Sequence, residues 1–289
     1  MNEKRLFSAE WFFSSRWRQT WFAVGVLILL ICAAIFARWL AVEQHRKALM
    51  DAQYAPPPEG MVFVPAGYSW MGSDRSDAGP DVPELQRVFL PAFYISKHEV
   101  TNEQFAEVFP DHTYPDGQDE MPASHVLRPE VIEYCEKRGG YLPTGAEWEK
   151  AARGTDGRQW PWGNEFRPDC ANIGRLDADA REQLEERGIS CGVRGPRVKV
   201  EVGSYPCGAS PYGALDMAGN VWEWVSDIYV DPRPPLELHW EPVPRGIIRG
   251  GAYGYGPDAA RTWFQTFEDP DATCNDVGFR MAMEAERSD

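Results

Sequence analysis

The stretch TWFAVGVLILLICAAIFA, Thr20 to Ala37, contains no charged residue, and the apolar run resumes beyond Arg38 through Trp39, Leu40, Ala41 and Val42. About 20 apolar helical residues cross the hydrocarbon core of a bilayer, so this span is long enough. A helix docked on a soluble core keeps one polar face; this one is apolar all round. Trp11, Trp17, Trp21 and Trp39 lie at or beyond its ends, at the depth where indole rings settle. The pattern divides the chain into a cytoplasmic segment at 1–19, a transmembrane helix at 20–42, a linker at 43–60 and a folded domain at 61–289. Lys4, Arg5, Arg16 and Arg18 precede the span, whereas Arg38, Arg46 and Lys47 follow it with Glu43 nearby. That bias places the N-terminus in the cytoplasm and the domain outside it, in the periplasm if the cell is Gram-negative. A cleaved signal peptide is the competing reading. It finds no clean small-x-small site, and Leu29-Leu30-Ile31-Cys32 is a poor lipoprotein box.

The remainder is long enough for one large domain with a substantial core. Residues 1–50 hold seven Lys/Arg against three Asp/Glu, which leaves 22 against 41, a formal −19, in residues 51–289. Such a surface repels the phosphates of nucleic acids, so nucleic acid is excluded as a partner, and it suits cations or basic proteins. Of six cysteines, Cys32 sits in the apolar span and behaves as a small apolar residue. An oxidising compartment permits up to two disulfides among Cys135, Cys170, Cys191, Cys207 and Cys274, with one thiol over, and spacing does not choose the pairs. No CxxC or Cys/His spacing indicates zinc.

The proline-rich YAPPPEGM, Tyr54 to Met61, stiffens the approach to the domain. Met61 to Pro65 reads as a strand, Ala66-Gly67 as a turn, and the run to Trp70 as a second strand. RVFLPAFYISKHEV adds one or two more. Thr101 and Gln104 stand at capping-box spacing, opening a short helix with Phe105, Val108 and Phe109 inward. A second helix starts at Pro129 and stops before Gly139-Gly140, with Val131 and Cys135 on its core side. Thr144 and Glu147 form another capping box; Trp148, Ala151 and Ala152 share a face, and Gly154 ends the helix. From Gln159 periodicity fades into Gly, Pro and aromatic residues, so aromatics must supply much of the burial. Leu176 to Arg187 reads as a polar surface helix inserted in a loop.

The ordered set MVFVPAGYSWMGS, ISKHEVTNEQFAEV, GGYLPTGAEWEKAARG, WPWGNE, ANIG, SPYGALDMAGNVWEWVSD, IIRGGAY and NDVGFRMA, spanning Met61 to Ala282, resembles the sulfatase-modifying factor family, which includes the formylglycine-generating enzyme. The resemblance implies an α+β fold: a loop-rich variant of the C-type lectin fold. It also implies a calcium ion wrapped by DMAGNVWEW, with the Asp216 side chain, the Gly219 and Val221 carbonyls and the Glu223 carboxylate as ligands. Hard oxygen donors around a Gly-bearing turn suit calcium, and a tight turn packing Trp222 and Trp224 inward is compatible with it. The family's second calcium site matches Asn172 and Ile173, whose other ligands find no counterpart; a hydrogen-bonded loop Asn explains Asn172 equally well.

Oxidases of the family bind copper through two cysteines just after an RGG motif, and soft Cu(I) needs thiolates. The corresponding run here, RGGAYGYGPDAARTWFQ, contains none, so copper and formylglycine formation are not expected. Iron-dependent relatives draw histidines largely from an extra helical domain that this chain lacks; His98, His112, His125 and His239 are scattered without metal spacing. Gly145 replaces the glutamate usual in the LPTEAEWE motif, and Met281 replaces the cysteine usual after GFR, which leaves Cys135 without its family partner. Cys135 with Cys274 is the substitute pairing that the resemblance suggests.

Two functions remain in play. The favoured one is a non-catalytic, membrane-anchored accessory or scaffold subunit, held in the bilayer by its helix and touching membrane or periplasmic proteins through the loops Ala178 to Arg187 and Asp231 to Pro244, with Trp240. The other is an enzyme of a non-copper branch, working on a peptide, protein or cofactor in a pocket near Tyr253, Tyr255, Arg261, Trp263 and Arg280. For Arg280, a structural arginine paired with a carboxylate is the favoured reading.

Overall fold

The computed structural model describes residues 15–51, 53–76, 78–79, 82–174, 198–230 and 244–288. It contains two compact units, Met1–Tyr54 with Arg287–Asp289, and Ala55–Glu286. The first unit is dominated by helix α1 (Ser15–Asp51). Within it Trp21–Arg38 is long and apolar enough to cross a membrane, and Phe22, Leu29, Ile35 and Phe36 are all exposed.

Among its described residues the second unit is built from three small sheets and three short α-helices. Strands β1 (Met61–Val64) and β4 (Phe93–Ser96) pair antiparallel, and β4 pairs in turn with β9 (Ala282–Glu284), so the two ends of the domain close on one another. Strands β2 (Gly67–Met71) and β3 (Gln86–Leu90) form a separate antiparallel ribbon. The largest sheet has the order β7 (Gln265–Glu268), β6 (Arg245–Arg249), β5 (Trp222–Tyr229), β8 (Val277–Phe279); β5 and β8 run parallel and the other pairs antiparallel.

The helices begin where their caps were read. Helix α2 (Asn102–Ala106) carries the Thr101/Gln104 capping box, but it stops before Val108 and Phe109, which pack from the turn that follows. Helix α3 (Arg128–Lys137) starts one residue before Pro129, and Glu130 accepts from the Leu127 N–H. Helix α4 (Gly145–Arg153) has the full Thr144/Glu147 box, each box stabilising by about 1 kcal/mol.

Two cores result. Trp222 and Trp224 join Phe105, Tyr134, Cys135, Val277 and Phe279 in one, while Trp148, Val64, Phe93, Ile95, Met217 and Val225 form another. Strand β5 divides them. Its side chains alternate, so the two tryptophans face the first core, whereas Glu223 and Val225 face the second. Consecutive residues Trp222 to Val225 are all buried because both faces of that half-strand are covered.

The expected Cys135–Cys274 disulfide is not formed. Cys135 is a free thiol on the core side of α3, Cys274 is disulfide-bonded, and Cys170 is joined to Cys207. The family resemblance suggested this pair, but Cys274 is taken by another disulfide, and Cys135 is left in an apolar cluster where burial pushes its thiol up to about 12. The Leu176 to Arg187 helix, the Asp231 to Pro244 loop apart from Pro244, His239, Trp240 and Cys191 lie outside the described residues.

Candidate functional site

The segment Asp216 to Trp224 turns through three left-handed residues, Asp216 (φ 58°), Gly219 (φ 86°) and Asn220 (φ 63°). Asp and Asn tolerate this region best among residues with a Cβ. At Gly219 a Cβ is excluded outright, because it would collide with the Asn172 carbonyl oxygen.

Asn220 ties the turn together. Its Nδ2 donates to Glu99 Oε1 (3.1 Å) and to the Val200 carbonyl (3.2 Å). Its Oδ1 accepts from the Val200 N–H (2.9 Å) and from Asn172 Nδ2 (3.1 Å). Its backbone N–H donates to the Asn172 carbonyl, and its own carbonyl accepts from Tyr253. Asn172 also donates to the Val198 carbonyl (2.8 Å), and Ile173 beside it is buried. The two stretches read as separate calcium sites are thus one hydrogen-bonded junction, bridged at Asn172 and Gly219.

Glu223 lies fully buried under this turn. Arg280 grips it twice, Nε to Oε2 at 2.6 Å and Nη2 to Oε1 at 2.7 Å, and Trp148 Nε1 donates to Oε2 at 2.7 Å. The remaining Arg280 N–H groups reach the carbonyls of Ser96 (3.0 Å), Lys97 (3.4 Å) and Leu215 (2.9 Å). Arg280 is therefore the paired structural arginine, its guanidinium pKa raised by Glu223 despite burial.

Two further carboxyls share this space. Asp216 accepts from the Gly203 N–H (2.6 Å), and Glu99 stands beside it, 2% exposed. Burial raises the pKa of both, and for Glu99 the neighbouring charges of Asp216 and Glu223 raise it further. As a carboxylate, Glu99 has no donor for its Oε2; one proton shared with Asp216 would supply a hydrogen bond. His98, next in sequence, offers no positive charge: its pKa is held at about 4 by burial and by the nearby Arg280 and Lys97. Three buried carboxyl groups thus face one guanidinium.

Of the expected calcium ligands, Asp216, Gly219, Val221 and Glu223 are brought onto one turn. In charge and in donor hardness the cluster fits a divalent cation. The Glu223 carboxylate is already fully engaged, while the acceptor without a donor belongs to Glu99. Neither Glu99 nor Asn220 was read as functional from sequence; the only available signal was a carboxylate and an amide set inside otherwise apolar landmarks. Among the described residues, Asp169, Cys170 and Cys207 form the one group of His, Cys, Asp or Glu side chains close enough to share a metal, and its sulfurs are bonded to each other.

Five residues were expected to line a pocket. Tyr253 and Arg280 are buried in the fold, and Tyr255 packs edge-on against Trp222 at 5.1 Å. Arg261 stacks on Trp160 (5.2 Å) and Trp263 (5.5 Å), and of the five only Trp263 lines a cavity of about 280 Å³.

This architecture defines a loop-rich domain of mixed α/β content whose centre is a buried ion pair beneath a glycine turn. Comparison with known proteins agrees: residues 46–285 match the Sulfatase-modifying factor enzyme 1-like domain, and the chain belongs to that family. It is 31% identical to the Inactive C-alpha-formylglycine-generating enzyme 2 of Bos taurus, over 90% of this chain and 96% of that one. It is 27% identical to the Formylglycine-generating enzyme of Bos taurus, over 79% and 75% respectively. The solved structure of PvdO from Pseudomonas aeruginosa has the same fold, with a TM-score of 0.60 and 24% identity over 81% of this chain and 98% of that one.

Proposed function

We propose that this chain is a membrane-anchored, non-catalytic member of the family that serves as an accessory or scaffold subunit of a membrane protein complex. The observation that carries the reading is chemical. No thiol occurs between Arg249 and Gln265, where the family's oxidases bind copper, and Tyr255 in that run packs against Trp222 instead. Outside α1 the free thiol among the described residues is Cys135, which is buried and protonated at neutral pH. Likeness to a relative named as inactive supports the same reading. In this reading helix α1 serves as the anchor; the excess of basic residues before Trp21 supports a domain outside the cytoplasm, where its formal −19 suits a basic protein surface.

A calcium ion at the Asp216 turn belongs to this proposal. It would neutralise the carboxylates that Arg280 leaves uncompensated, with Asp216 and the carbonyls of Gly219 and Val221 as ligands. Glu99 Oε2 is the added candidate. Glu223 would contribute charge while it stays bound to Arg280.

The deciding experiment is mild detergent extraction from the native membrane, purification through this chain, and identification of whatever remains in stoichiometric amount. Membrane or periplasmic subunits held in fixed ratio are expected. A lone, monodisperse chain would overturn the accessory role and favour an enzyme of the non-copper branch.

A further inference from the structure

The ribbon of β2 and β3 turns an aromatic face to solvent. In antiparallel register Tyr68 stands opposite Phe89, and Trp70 opposite Arg87. Opposed residues share a face and alternate residues along a strand return to it, so these four lie together. Tyr68 is 53% exposed, Trp70 40% and Phe89 57%, and Arg87 is exposed with them. They are ordered on one another. The Tyr68 and Phe89 rings meet edge to face at 5.3 Å, and the Arg87 guanidinium carbon lies 4.4 Å from the Tyr68 ring centroid.

The opposite face explains why these rings stay outside. Buried Ser69 donates to the Gly154 carbonyl at the end of α4 (3.0 Å), and Lys150 of α4 donates to the Gly67 carbonyl (3.1 Å). Just past β2, the Gly72 N–H donates to Glu149 (3.0 Å). Both ends of β2 are thereby fixed on α4, and a one-residue slip that sent Tyr68 and Trp70 inward would break these bonds. Neither core uses the three rings. Three exposed aromatic side chains side by side on one small ribbon mark a contact surface.

Charge and tether decide what it contacts. The strands GYSWM and QRVFL contain no Asp or Glu, and Arg87 is their only charge, in a domain that is otherwise strongly acidic. The face therefore repels no anionic headgroup. Tryptophan and tyrosine settle at the bilayer interface, and an arginine beside them can reach lipid phosphate. Helix α1 runs on from Arg38, where the apolar window ends, to Asp51, about 20 Å of helix, and the second unit starts at Ala55. A domain of this length is about 45 Å across, so the tether is shorter than the domain is wide. A contact made under so short a tether is in effect intramolecular and needs little affinity of its own.

We propose, resting on the reading of α1 as a membrane anchor, that the β2–β3 face docks on the headgroup region of the same bilayer. Tyr68, Trp70 and Phe89 enter the interface, and Arg87 pairs with lipid phosphate.

The test places the photoreactive residue p-benzoylphenylalanine at Phe89 of the full chain in its native membrane, with Phe166, exposed and outside the ribbon, as the control position. Carbonate washing comes first. Release of the chain would overturn the anchor and the proposal with it, whereas retention leaves the anchor standing whatever follows. In the retained chain, illumination at Phe89 should give lipid adducts at least about fivefold above those at Phe166, as befits a ring held in the interface. The double change Tyr68→Ser with Trp70→Ser should remove most of that excess and leave the melting temperature unchanged, because neither ring fills a core. Adducts of Phe89 with another protein, with a second copy or within its own chain would overturn the proposal while the anchor stands. So would a lipid yield equal to that at Phe166, or one indifferent to the double change.

Discussion

Two buried clusters of charge lie on either side of Trp148, and they are balanced differently. On one side Glu149 sits between Arg153 (2.8 Å) and Arg249 (3.2 Å) and also accepts from the Gly72 N–H (3.0 Å). The surplus guanidinium donors are spent on the Gly72, Gly157 and Thr262 carbonyls and on Gln265. On the other side Arg280 alone faces Glu223, Glu99 and Asp216. Trp148 touches both, with its N–H on Glu223 and its ring 5.9 Å from the Arg249 guanidinium. The first cluster has its excess on the positive side, spread over protein acceptors, although the Nε–H groups of Arg153 and Arg249 find none. The second leaves negative charge that only a proton or a bound cation can offset, which is why calcium is proposed there and not beside Glu149.

Removing a cation should separate the two most sharply. Arg280→Met strips three carboxyls of their one counter-charge and should destabilise the domain by about 4–5 kcal/mol at neutral pH, measured by denaturant unfolding. Glu149→Gln leaves guanidiniums that still reach carbonyls, and about 3 kcal/mol is expected. A smaller loss for Arg280→Met than for Glu149→Gln would show that the second cluster is already neutral.

Calcium comes next in size. With the ion in about hundredfold excess over its dissociation constant, stability should rise by about 2.7 kcal/mol, and a chelator should remove the gain. Because burial raises Glu99 and Asp216, the folded domain without metal holds extra protons, and stability is lost as pH rises through their folded values. Calcium must displace those protons, so its stabilisation should be larger at pH 8 than at pH 5. Glu99→Gln should stabilise the chelated protein by about 1 kcal/mol and weaken the calcium effect, opposite in sign to Glu149→Gln. A melting curve that ignores chelator at both pH values would end the calcium proposal.

The smallest effect belongs to His98. Its folded pKa of about 4 lies below the ordinary 6.5, so the folded state binds fewer protons than the unfolded state between those values. Stability should therefore fall as pH drops from 6.5 towards 4, opposite in sign to the carboxyl pair. Partial exposure screens the effect, and on the order of 1 kcal/mol is expected. In His98→Asn the acid limb of the stability curve should flatten; an unchanged limb would assign it elsewhere.

What was legible in the sequence was local chemistry. The Thr101 and Thr144 boxes, the stop at Gly154 and the apolar face of α4 each depend on residues within one or two turns, and each is present. The apolar span of α1 is likewise a property of consecutive residues. The family follows from eight short landmarks in order, which no composition could imitate.

Pairing across the chain was decided by the tertiary structure. The four-stranded sheet was nearly invisible, because Trp222 to Val225 is buried on both faces and shows no alternation. Cys135 and Cys274 are close to related family positions and share one core, yet only the tertiary structure decides that Cys274 bonds elsewhere and Cys135 stays reduced. Glu223 could be read as a ligand from its neighbours in sequence; that Arg280, 57 residues later, holds it is a consequence of β5 lying parallel to β8. Side-chain periodicity and capping act over a few residues, so the sequence alone determined them. Which carboxylate meets which guanidinium depends on how strands far apart in the chain come into register, and that was decided only when the sheets closed around Trp148.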